Sequence, residues 1–298
     1  MMNSKTNITA VVIWYNPDKT SIANILTYSS FFKKVYIVDN SFTDNSTLAA
    51  ECLNSLYIPN RSNMGIAKAT NIGCQKALSD GFKWIMTMDQ DSSWDFEELN
   101  KYLKLINNQN NKDGTIASFA PTHSNQIKSV IGDIKNKTKN KTDKEIIFQS
   151  KVMASGNIIN LNIWKNCGKF NEDLFIDEVD HEFCYKLLKN GYKICEFQDV
   201  YMFHTLGNVK KTILPRPCKH SGVRLFYIFR NILFIKRNYP ENFKNNGYKK
   251  YIMVTFIQKL FELKFSDLKY IFEGIYSFKK NIYGSYENFL SKKRNPTT

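Results

Sequence analysis

Residues 84–93 read WIMTMDQDSS and carry the strongest strand pattern of the chain. The apolar run from Trp84 to Met88 has the length of a buried strand, and the tripeptide Asp89-Gln90-Asp91 follows it directly. Two carboxylates two residues apart at a strand end can face one cavity. The stretch therefore predicts a buried strand whose end is placed for ligand binding.

Strand and helix patterns alternate on both sides of this run. Strands are predicted at Ile8 to Trp14, at Val35 to Val38 and, more weakly, at Leu56 to Ile58. Helices are predicted at Ser21 to Phe32, Thr43 to Leu53, Gly65 to Leu78 and Trp94 to Ile106. The last of these has Ser93 or Asp95 as its expected cap. The alternation favours a mostly parallel sheet with helices on both faces.

Polar residues stand directly after three of the predicted strands. They are Tyr15-Asn16, Asp39-Asn40 and Asp89-Gln90-Asp91. Ligands of such sheets bind beyond the carboxyl ends of the strands, so these residues are placed for chemistry. Asn and Asp also favour turns, because their side chains bond to the nearby backbone. For each group taken alone, a binding role and a turn role both stay open.

The second half of the chain has fewer regular patterns. Residues 122–148 are polar and low in complexity, which predicts a surface loop or an irregular hairpin. Strands are predicted at Val152 to Ile159, Tyr192 to Glu196 and Val200 to His204. An amphipathic helix is predicted from Asp177 to Leu188.

The composition of the 298 residues is that of a folded protein. Hydrophobic residues make up 43% and aromatic residues 14%, enough for a sizeable core, which excludes disorder as a class. Thirteen glycines, seven prolines and no fixed-period repeat exclude collagen-like, solenoid and propeller architectures. The net charge of +15 suits nucleic acid, an anionic membrane or a phosphate-bearing ligand, and does not choose among them.

The positive charge is concentrated at the C-terminal end. Residues 207–298 hold 19 Lys and Arg against 5 Asp and Glu, a net charge of +14, whereas the preceding 206 residues are close to neutral. This change in composition predicts two parts. We expect a catalytic domain over residues 1–220 and a basic, aromatic-rich helical region over residues 221–298.

No segment predicts export or a membrane span. The first residues, MMNSKTNITAVVIWYNP, contain no apolar stretch of signal-peptide length. The run from Val223 to Ile235 contains Arg224, Arg230 and Asn231, and is too short for a span of about 20 apolar residues. The six cysteines form no CxxC pair, which argues against a zinc ribbon. We expect a cytoplasmic protein with reduced thiols, or one peripheral on the inner face of the cell membrane.

Asp89 and Asp91 are candidate metal ligands. Hard divalent cations such as Mg²⁺ and Mn²⁺ prefer carboxylate oxygens, and a bound diphosphate supplies further ligands. His204 ends an apolar strand and is a candidate third ligand beside such a pair, although a lone histidine is usually structural. The expected cofactor is Mg²⁺ or Mn²⁺.

Residues 63–73, NMGIAKATNIG, set small residues along the start of a predicted helix. Gly65 allows a close backbone approach there, and a helix N-terminus favours an anion. The pattern is neither a P-loop nor GxGxxG. Close packing of the helix on the sheet also explains it, and for this stretch alone we favour packing.

Residues 175–182, FIDEVDHE, gather five ionisable side chains at the start of a predicted helix. Some of these carboxylates need no functional reason, because negative charge there complements the helix dipole. Asp177 and Asp180 are three residues apart and share a helix face. A carboxylate of this block is a candidate general base for a hydroxyl nucleophile.

The order of these motifs resembles family 2 glycosyltransferases with the GT-A fold. The motifs are VDNS at 38–41, TDNS at 43–46, NMGIAKATNIG, the strand-end DQDS, FIDEVDHEFCYKLLKNGY at 175–192 and FHTLGN at 203–208. They span about residues 8–240, with the greatest likeness to the bacterial rhamnosyltransferase branch. The resemblance implies an α/β fold, a mixed nucleotide-sugar-binding sheet flanked by helices, with a basic helical C-terminal appendage. It also implies an inverting, metal-dependent enzyme with nucleotide-diphospho-sugar donors.

The resemblance further implies roles for single residues. Nucleotide-base contacts are implied for Tyr15, Asn16 and Asp39, and part of the nucleotide-sugar lip for Asn63 and Gly65. Asp89 and Asp91 correspond to the DxD pair, with Asp91 as the direct metal ligand and Asp89 also beside the nucleotide sugar. His204 resembles the later metal-binding histidine.

The acidic block corresponds to the segment that supplies the catalytic base. Its commoner form reads Glu-Asp-x-Asp, whereas residues 177–180 read Asp-Glu-Val-Asp, so Asp177 and Glu178 both stay open. We prefer Asp177, because the rhamnosyltransferase branch usually reads Phe-Ile-Asp-x-Val-Asp. Asp180 is expected to orient the acceptor or the start of the helix.

The expected reaction is transfer of a sugar to a hydroxyl of a lipid-linked or oligosaccharide acceptor in cell-surface polysaccharide synthesis. Likeness to one branch favours L-rhamnose from dTDP-rhamnose as the donor. Galactofuranose, glucose or another hexose is the alternative. The linkage and the oligomeric state are not predicted.

The basic C-terminal region has two interpretations. Residues 222–231, GVRLFYIFRN, resemble a helix that commonly follows the catalytic domain in this family. From Tyr251 to Phe278, aromatic and aliphatic residues are mixed with lysines, which suits an anionic membrane surface. The alternative is a solvated basic face on helices packed against the catalytic domain.

Two other classes of function compete with the transferase. A nucleic-acid-binding protein would use the same basic region, but it explains neither DQDS nor the acidic block, so we expect no nucleic-acid partner. A nucleotidyltransferase needs a Gly-rich phosphate loop near the first strand, and residues 14–17, WYNP, are not one. A processive polysaccharide synthase is disfavoured because no membrane-spanning helix is predicted.

Overall fold

The computed structural model describes residues 7–110, 114–124, 146–204, 220, 222–243, 247–262 and 264–294. The strands within these ranges are β1 Ile8–Trp14, β2 Val35–Asp39, β3 Ser55–Pro59, β4 Trp84–Asp89, β5 Ser92–Ser93, β6 Ile116–Ser124, β7 Ile146–Phe148, β8 Asn157–Asn160 and β9 Lys193–His204. They join one sheet in the order β3-β2-β1-β4-β8-β6-β9-β5, with β7 paired to β9. The predicted α/β fold with a mixed sheet is confirmed.

The N-terminal half of the sheet is parallel. β1 lies between β2 and β4, and β3 extends the sheet beyond β2. The register pairs Trp14 with Asp39 and Ile13 with Asp89. The carboxyl ends of β1, β2 and β4 therefore meet at one edge, where the polar residues that follow them also lie.

The other half of the sheet is mixed. β8 runs antiparallel to β4 and β6, β6 runs parallel to β9, and β5 and β7 pair antiparallel with β9. The two strands predicted between residues 192 and 204 are one strand, because β6 pairs along its length across an irregularity next to Pro121. β8 begins only at Asn157, since Gly156 has φ +78 and the amide of Asn157 donates to Ala154 O at 3.1 Å in a turn.

Two strands of the sheet are not among the predicted strands. β5 and β6 carry no predicted strand pattern, since β5 has two residues and β6 contains Pro121, which lacks an amide donor. The segment predicted as a loop or irregular hairpin over residues 122–148 contains the end of β6 and all of β7. Its residues 125–145 lie outside the described part.

Side-chain caps set the starts of the first helices. The helices are α1 Lys19–Leu26, α2 Ser46–Ala49, α3 Ile66–Ser79, α4 Phe96–Asn110, α5 Leu161–Asn166 and α6 Val179–Lys189. The Asp18 side chain accepts from the amides of Thr20 and Ser21, so α1 begins two residues before its predicted start. The Asp95 side chain accepts from the amide of Glu97 at 3.0 Å, which makes Asp95 the cap of α4.

One apolar cluster packs between the sheet and the helices α1, α2 and α4. Its fully buried members include Trp14, Tyr28, Tyr102, Phe119 and Phe197. The Tyr102 hydroxyl donates to Phe119 O at 2.7 Å, so its polar end is satisfied inside the core. Close packing of this kind holds the strand ends in fixed positions.

The C-terminal region is helical, as predicted, within the described ranges. Its helices are α7 Val223–Asn238, α8 Gly247–Phe261, α9 Phe265–Lys279 and α10 Tyr286–Arg294. α7 and α9 approach so closely that a Cβ on Gly274 would lie 2.4 Å from Phe226 O. Of the helices described, none is long and apolar enough to span a bilayer.

The described residues divide into two compact units. The first comprises Met1–Met64, Ala69–Lys169 and Lys186–Gly207, and the second comprises Gly65–Lys68, Phe170–Tyr185 and Asn208–Thr298, in so far as these ranges are described. The second unit therefore joins the start of α3 and the acidic block to the C-terminal helices. The boundary at residue 220 rests on charge and stays a prediction.

Candidate active site

The loops after β1 and β2 are bonded to each other at the carboxyl edge of the sheet. Tyr15 is 45% exposed, and Asn16 is exposed with a left-handed backbone, φ +48. The amide of Asn16 donates to Ser41 Oγ at 2.7 Å, and the amide of Asn40 donates to Trp14 O at 2.8 Å. Tyr15 and Asn16, predicted as base contacts, are thus presented on an ordered loop.

Asp39, the third predicted base contact, is only 1% exposed. Its Oδ1 accepts from the amide of Ser41 at 2.8 Å, and its Oδ2 accepts from Asn45 Nδ2 at 2.7 Å and from the Tyr57 hydroxyl at 2.8 Å. Burial raises the pKa of Tyr57 to about 12, and Asp39 adds to the shift, so this hydroxyl stays a donor at neutral pH. The observed role of Asp39 is to order its loop.

Gln90 fixes the turn between the two aspartates after β4. Its side-chain Oε1 accepts from the amide of Tyr15 at 2.8 Å, and its Nε2 donates to Tyr15 O at 3.3 Å. Its backbone oxygen accepts from Asn24 Nδ2 at 2.9 Å. These bonds tie the turn to the loop after β1. The sequence analysis gives Gln90 no role of its own, and its position between the aspartates is the only local signal.

Asp89 and Asp91 lie on either side of this turn. Asp89 is half-buried at the end of β4, and its amide donates to Ser155 Oγ at 3.2 Å, whereas Asp91 is exposed. β5 begins directly after Asp91 and pairs with the end of β9, with Ser92 opposite His204. Asp91 is therefore the residue next to the one that pairs with His204.

The predicted metal ligands are described in part. The side chain of His204 and the residues 205–208 of its motif lie outside the described part of the chain. Among the residues described, no group of three or more His, Cys, Asp and Glu side chains is placed to hold a metal ion. Two carboxylates and an imidazole nonetheless have the donor chemistry that suits Mg²⁺ or Mn²⁺, and strand pairing places His204 opposite Ser92, the residue after Asp91.

Gly65 has a packing role at the start of α3. Its φ is +81, and a Cβ there would lie 2.6 Å from Phe175 O and 2.7 Å from the Phe175 ring. The same oxygen accepts from the amides of Ile66 at 2.7 Å and Ala67 at 3.4 Å. The amides expected to favour an anion therefore bond to protein, and the close packing at Gly65 is with Phe175 and not with a strand of the sheet. Asn63, the other predicted lip residue, is exposed.

The acidic block opens with a strained turn. Phe175, Asp177 and Glu178 have φ values of +65°, +62° and +63°. Non-glycine residues seldom adopt this conformation, and it persists only where the surroundings stabilise it, often at functional sites. The helix predicted from Asp177 therefore begins only at Val179.

Asp177 is a largely buried carboxylate paired with a cation. Its side chain is 14% exposed, and it accepts from Arg224 of α7, with Nη2 at 2.9 Å from Oδ1 and Nε at 3.1 Å from Oδ2. Burial raises the pKa of Asp177 above its usual value, and the charges of Arg224 and His220 oppose that rise. A buried carboxylate with a raised pKa suits a general base.

Glu178 and Asp180 have partners on their own turn. Glu178 Oε2 lies 2.9 Å from His181 Nδ1, and Asp180 Oδ1 accepts from the amide of His181 at 2.9 Å. Asp180 lies in the first turn of α6, where its charge complements the helix dipole. The two carboxylates that the register leaves open thus differ, because Asp177 pairs with Arg224 of α7, whereas Glu178 pairs with His181 on its own turn.

Two fully buried polar residues of α7 hold the strained turn. Asn231 Nδ2 lies 2.7–2.9 Å from three carbonyl oxygens, those of Leu174, Ile176 and Asp177. Arg230 donates to Leu174 O and to Asn231 Oδ1, each at 2.9 Å. Burial lowers the pKa of Arg230 to about 10, which keeps it charged at neutral pH.

The sequence analysis assigns no role to Arg230 and Asn231. They appear there only as interruptions of the apolar run from Val223 to Ile235. That interruption is the available signal, because a charged and an amide side chain inside an apolar helix require buried partners. The identity of those partners depends on residues more than 50 positions away.

Comparison with known proteins settles the family. A sequence model described as Glycosyl transferase family 2 matches residues 19–157. The chain is 34% identical over 252 residues to the dTDP-rhamnosyl transferase RfbF of Shigella flexneri, covering 80% of this chain and 82% of that protein. The chain belongs to glycosyltransferase family 2. It is a rhamnosyltransferase-like member, which confirms the family predicted from the motif order.

Solved structures agree with the fold of this family 2 glycosyltransferase. The mannosyltransferase PcManGT from Pyrobaculum calidifontis, in complex with GDP-Man and Mn²⁺, is 13% identical with a TM-score of 0.57, covering 99% of this chain and 80% of PcManGT. GalNAc-T7 with UDP, GalNAc and Mn²⁺ is 14% identical with a TM-score of 0.55, covering 80% of this chain. The match covers 48% of GalNAc-T7, so the chain spans about half of its length. The GT-A fold is thereby confirmed, and the family match together with the Shigella relative shows that the enzyme is a glycosyltransferase.

Proposed function

We propose that the enzyme is an inverting, metal-dependent rhamnosyltransferase. It moves L-rhamnose from dTDP-rhamnose to a hydroxyl of a lipid-linked or oligosaccharide acceptor in cell-surface polysaccharide synthesis. The observation that carries the chemistry is Asp177, a buried carboxylate with a raised pKa on a strained turn. The donor is chosen by likeness to the Shigella enzyme, with another hexose as the alternative.

The strand-end residues are proposed to bind the donor. Tyr15 and Asn16 are exposed on an ordered loop, which suits contact with the nucleotide base. Asp39 orders the neighbouring loop and contributes to the same base site. Asn63 and Gly65 are proposed at the lip, where Gly65 also allows close packing of Phe175.

Asp89, Asp91 and His204 are proposed to hold the divalent ion. A Mg²⁺ or Mn²⁺ bound there supplies positive charge that offsets the negative charge developing on the departing nucleoside diphosphate. Mn²⁺ is present in the structures of PcManGT and GalNAc-T7. Gln90 keeps the two aspartates in place through its bonds to Tyr15.

Asp177 is proposed as the general base. It accepts the acceptor hydroxyl proton while that oxygen forms a bond to the anomeric carbon and the bond to the diphosphate oxygen breaks. Attack on the face opposite the leaving group inverts the anomeric centre.

Asp180 is proposed to orient the acceptor or the start of α6, and Glu178 is the alternative base. Arg230 and Asn231 are positioning residues, because they bond to the turn and not to Asp177's carboxylate.

Two measurements test the proposal. The anomeric configuration of the product, read by NMR, should be inverted relative to the donor. Asp91→Ala should abolish metal-dependent transfer, whereas Glu51→Ala, which removes another exposed carboxylate of the same unit, should leave transfer unchanged. Retention of configuration, or normal turnover in Asp91→Ala, would refute the proposal.

A further inference from the structure

Among the described residues, two C-terminal helices carry nearly half of the exposed large apolar side chains. Seven of the fifteen large hydrophobic residues that are exposed in the described part lie between residues 253 and 276. They are Met253, Ile257, Leu260 and Phe261 on α8, and Phe265, Phe272 and Tyr276 on α9. Single exposed apolar residues are normal on a protein surface, whereas a contiguous group marks an interaction site.

Each group lies on one face of its helix. The α8 residues follow the spacing i, i+4, i+7, i+8, and the α9 residues follow i, i+7, i+11. The opposite faces are already used, since Tyr251, Ile252 and Phe256 pack with Leu268 and Ile271 in the core of this unit. The exposed faces are therefore additional to those needed for folding. We call α8 and α9 together the hairpin, and these seven residues its outer face.

Lysines accompany the apolar residues on this surface. Lys269 and Lys279 are exposed and continue the α9 stripe of Phe265, Phe272 and Tyr276 at helical spacing. Lys264, between the two helices, and Lys280, after the second, are exposed as well.

The acidic residues of the hairpin are held by ion pairs. Asp267 is buried and lies 3.3 Å from Lys259 Nζ, and Glu273 lies 2.9 Å from Lys293 Nζ. Glu262, the third acid of residues 247–280, lies 3.1 Å from Lys264 Nζ. The outer face therefore combines exposed apolar side chains with exposed positive charge.

We infer that the outer face docks on a lipid bilayer that contains anionic lipids. Apolar side chains that enter the acyl boundary, flanked by lysines at the level of anionic headgroups, are the pattern of an interfacial helix. The net charge of +14 over residues 207–298 adds long-range attraction to such a surface. This deepens the proposed function, since a docked enzyme meets an acceptor that is carried on a lipid.

The other partners fit this face less well. A symmetric contact with a second copy would bring the lysine stripes of two molecules together, and like charges oppose such an interface. Single-stranded nucleic acid stacks its bases on aromatic rings, which leaves Met253, Ile257 and Leu260 without a role. Acyl chains accept aliphatic and aromatic side chains alike.

The test is co-sedimentation of the full chain with vesicles, without any sugar nucleotide. Vesicles of equal parts phosphatidylcholine and phosphatidylglycerol should bind the protein, and vesicles of phosphatidylcholine alone should bind it more weakly. Phe261→Ser with Phe265→Ser should weaken partition by at least about tenfold, because two inserted side chains are lost. Lys269→Glu with Lys280→Glu should also weaken it, and added salt should weaken the binding of the wild type.

Matched controls remove equivalent residues elsewhere. Leu53→Ser with Phe42→Ser removes two exposed apolar side chains of the first unit, and Lys33→Glu with Lys104→Glu reverses two exposed lysines there. Both control pairs should bind vesicles like the wild type. Circular dichroism checks that each variant is folded.

Four results would overturn the inference. The first two are no binding of the wild type to anionic vesicles and equal binding by the Phe261 and Phe265 variant. The third is a wild-type dimer that becomes a monomer in that variant, and the fourth is salt-sensitive oligonucleotide binding that the variant loses, which would assign the face to nucleic acid. Because vesicle binding is scored without a donor, a failure here is distinct from a failure of the transferase proposal.

Discussion

At the scale of single residues, the protonation of Asp177 is set by opposing influences. Burial raises its pKa, whereas the guanidinium of Arg224 and the charge of His220 lower it. The pair with Arg224 is half-exposed on the arginine side, with 47% of that side chain accessible. An acceptor hydroxyl that approaches Asp177 therefore meets a carboxylate that is oriented by Arg224 and partly shielded from water.

Replacing Asp177 with Asn should remove the proposed base while keeping its size. We expect kcat to fall by about 10²- to 10⁴-fold, the usual contribution of a general base. Donor affinity, measured by titration calorimetry, should stay close to that of the wild type. Glu178→Gln is the comparison variant and should lose far less activity. A larger loss in Glu178→Gln than in Asp177→Asn would transfer the role of base to Glu178.

Arg224→Gln should change the pH dependence of the reaction. Arg224 lowers the pKa of Asp177, whereas burial raises it. Without Arg224 the effect of burial is less compensated, so the pKa of Asp177 should rise further. The base must be ionised, so the acidic limb of the kcat/KM profile should move to higher pH. Lys236→Gln, an exposed charge change on the same helix, should leave the limb in place. An unmoved or lowered limb in Arg224→Gln would contradict this assignment.

Much of Asp177's role, but not its geometry, can be predicted from sequence. The order of motifs identifies the acidic block and favours Asp177 within it. No local sequence pattern indicates the positive φ values of the turn. The pair with Arg224 joins residues 47 positions apart, so no local pattern predicts it either. The same holds for Asp39, whose predicted ligand role gives no sign of its bonds to Asn45 and Tyr57.

At the scale of elements, the strained turn of residues 175–178 is held from two sides within its unit. The start of α3 donates two amides to Phe175 O, and Asn231 of α7 donates to carbonyl oxygens of the turn. The strain is therefore maintained by neighbouring elements and not by the sequence of the turn itself. Changes in α3 or α7 should consequently reach the proposed base.

Asn231→Ala should uncouple the turn from α7. Carbonyl oxygens of the turn would lose their shared donor inside the protein, which costs about 1–3 kcal/mol of unfolding free energy for a buried unsatisfied group. We also expect a lower kcat at unchanged donor KM, with a shifted acidic limb, because Asp177 loses its position. Asn238→Ala, an exposed amide on the same helix, should change none of these. If Asn231→Ala loses this stability but keeps the kcat and the pH profile of the wild type, Asn231 has a structural role only.

Gly65→Ala should destabilise the protein more than Gly81→Ala. Both glycines have a positive φ, at +81 and +86, so each substitution bears the backbone cost of about 1–2 kcal/mol. A Cβ at Gly65 would also lie 2.6 Å from Phe175 O, whereas nothing lies within 4 Å at Gly81. Overpacking adds about 1–3 kcal/mol at Gly65 alone. Urea unfolding measures the difference, and equal destabilisation of the two variants would contradict the packing role.

The alternation of strands and helices is the part of the fold that sequence patterns predict well. β1, β2 and β4 are continuous apolar runs, which the parallel half of a covered sheet requires. The two-residue β5 and the proline-containing β6 escape prediction, because their existence depends on pairing with β9 and not on their own residues. Helix starts shift where a cap or a strained residue intervenes, as at Asp18 and Asp177.

At the scale of the whole molecule, charge and chemistry are separated along the chain. The first 206 residues are nearly neutral and carry the proposed donor and metal residues, whereas the following residues hold a net charge of +14. A metal, and not a basic surface, is proposed to meet the donor diphosphate. The basic region is instead proposed to meet a membrane, so net charge bears on where the enzyme works.

The central claim is that this family 2 enzyme transfers rhamnose from dTDP-rhamnose with a divalent metal. The most direct measurement is the release of nucleoside diphosphate from a panel of sugar nucleotides, with Mg²⁺ or Mn²⁺ and with oligosaccharide acceptors. We predict the highest release from dTDP-rhamnose, and its loss when the metal is chelated. Release that persists fully after chelation, or that is greatest from another sugar nucleotide, would contradict the claim.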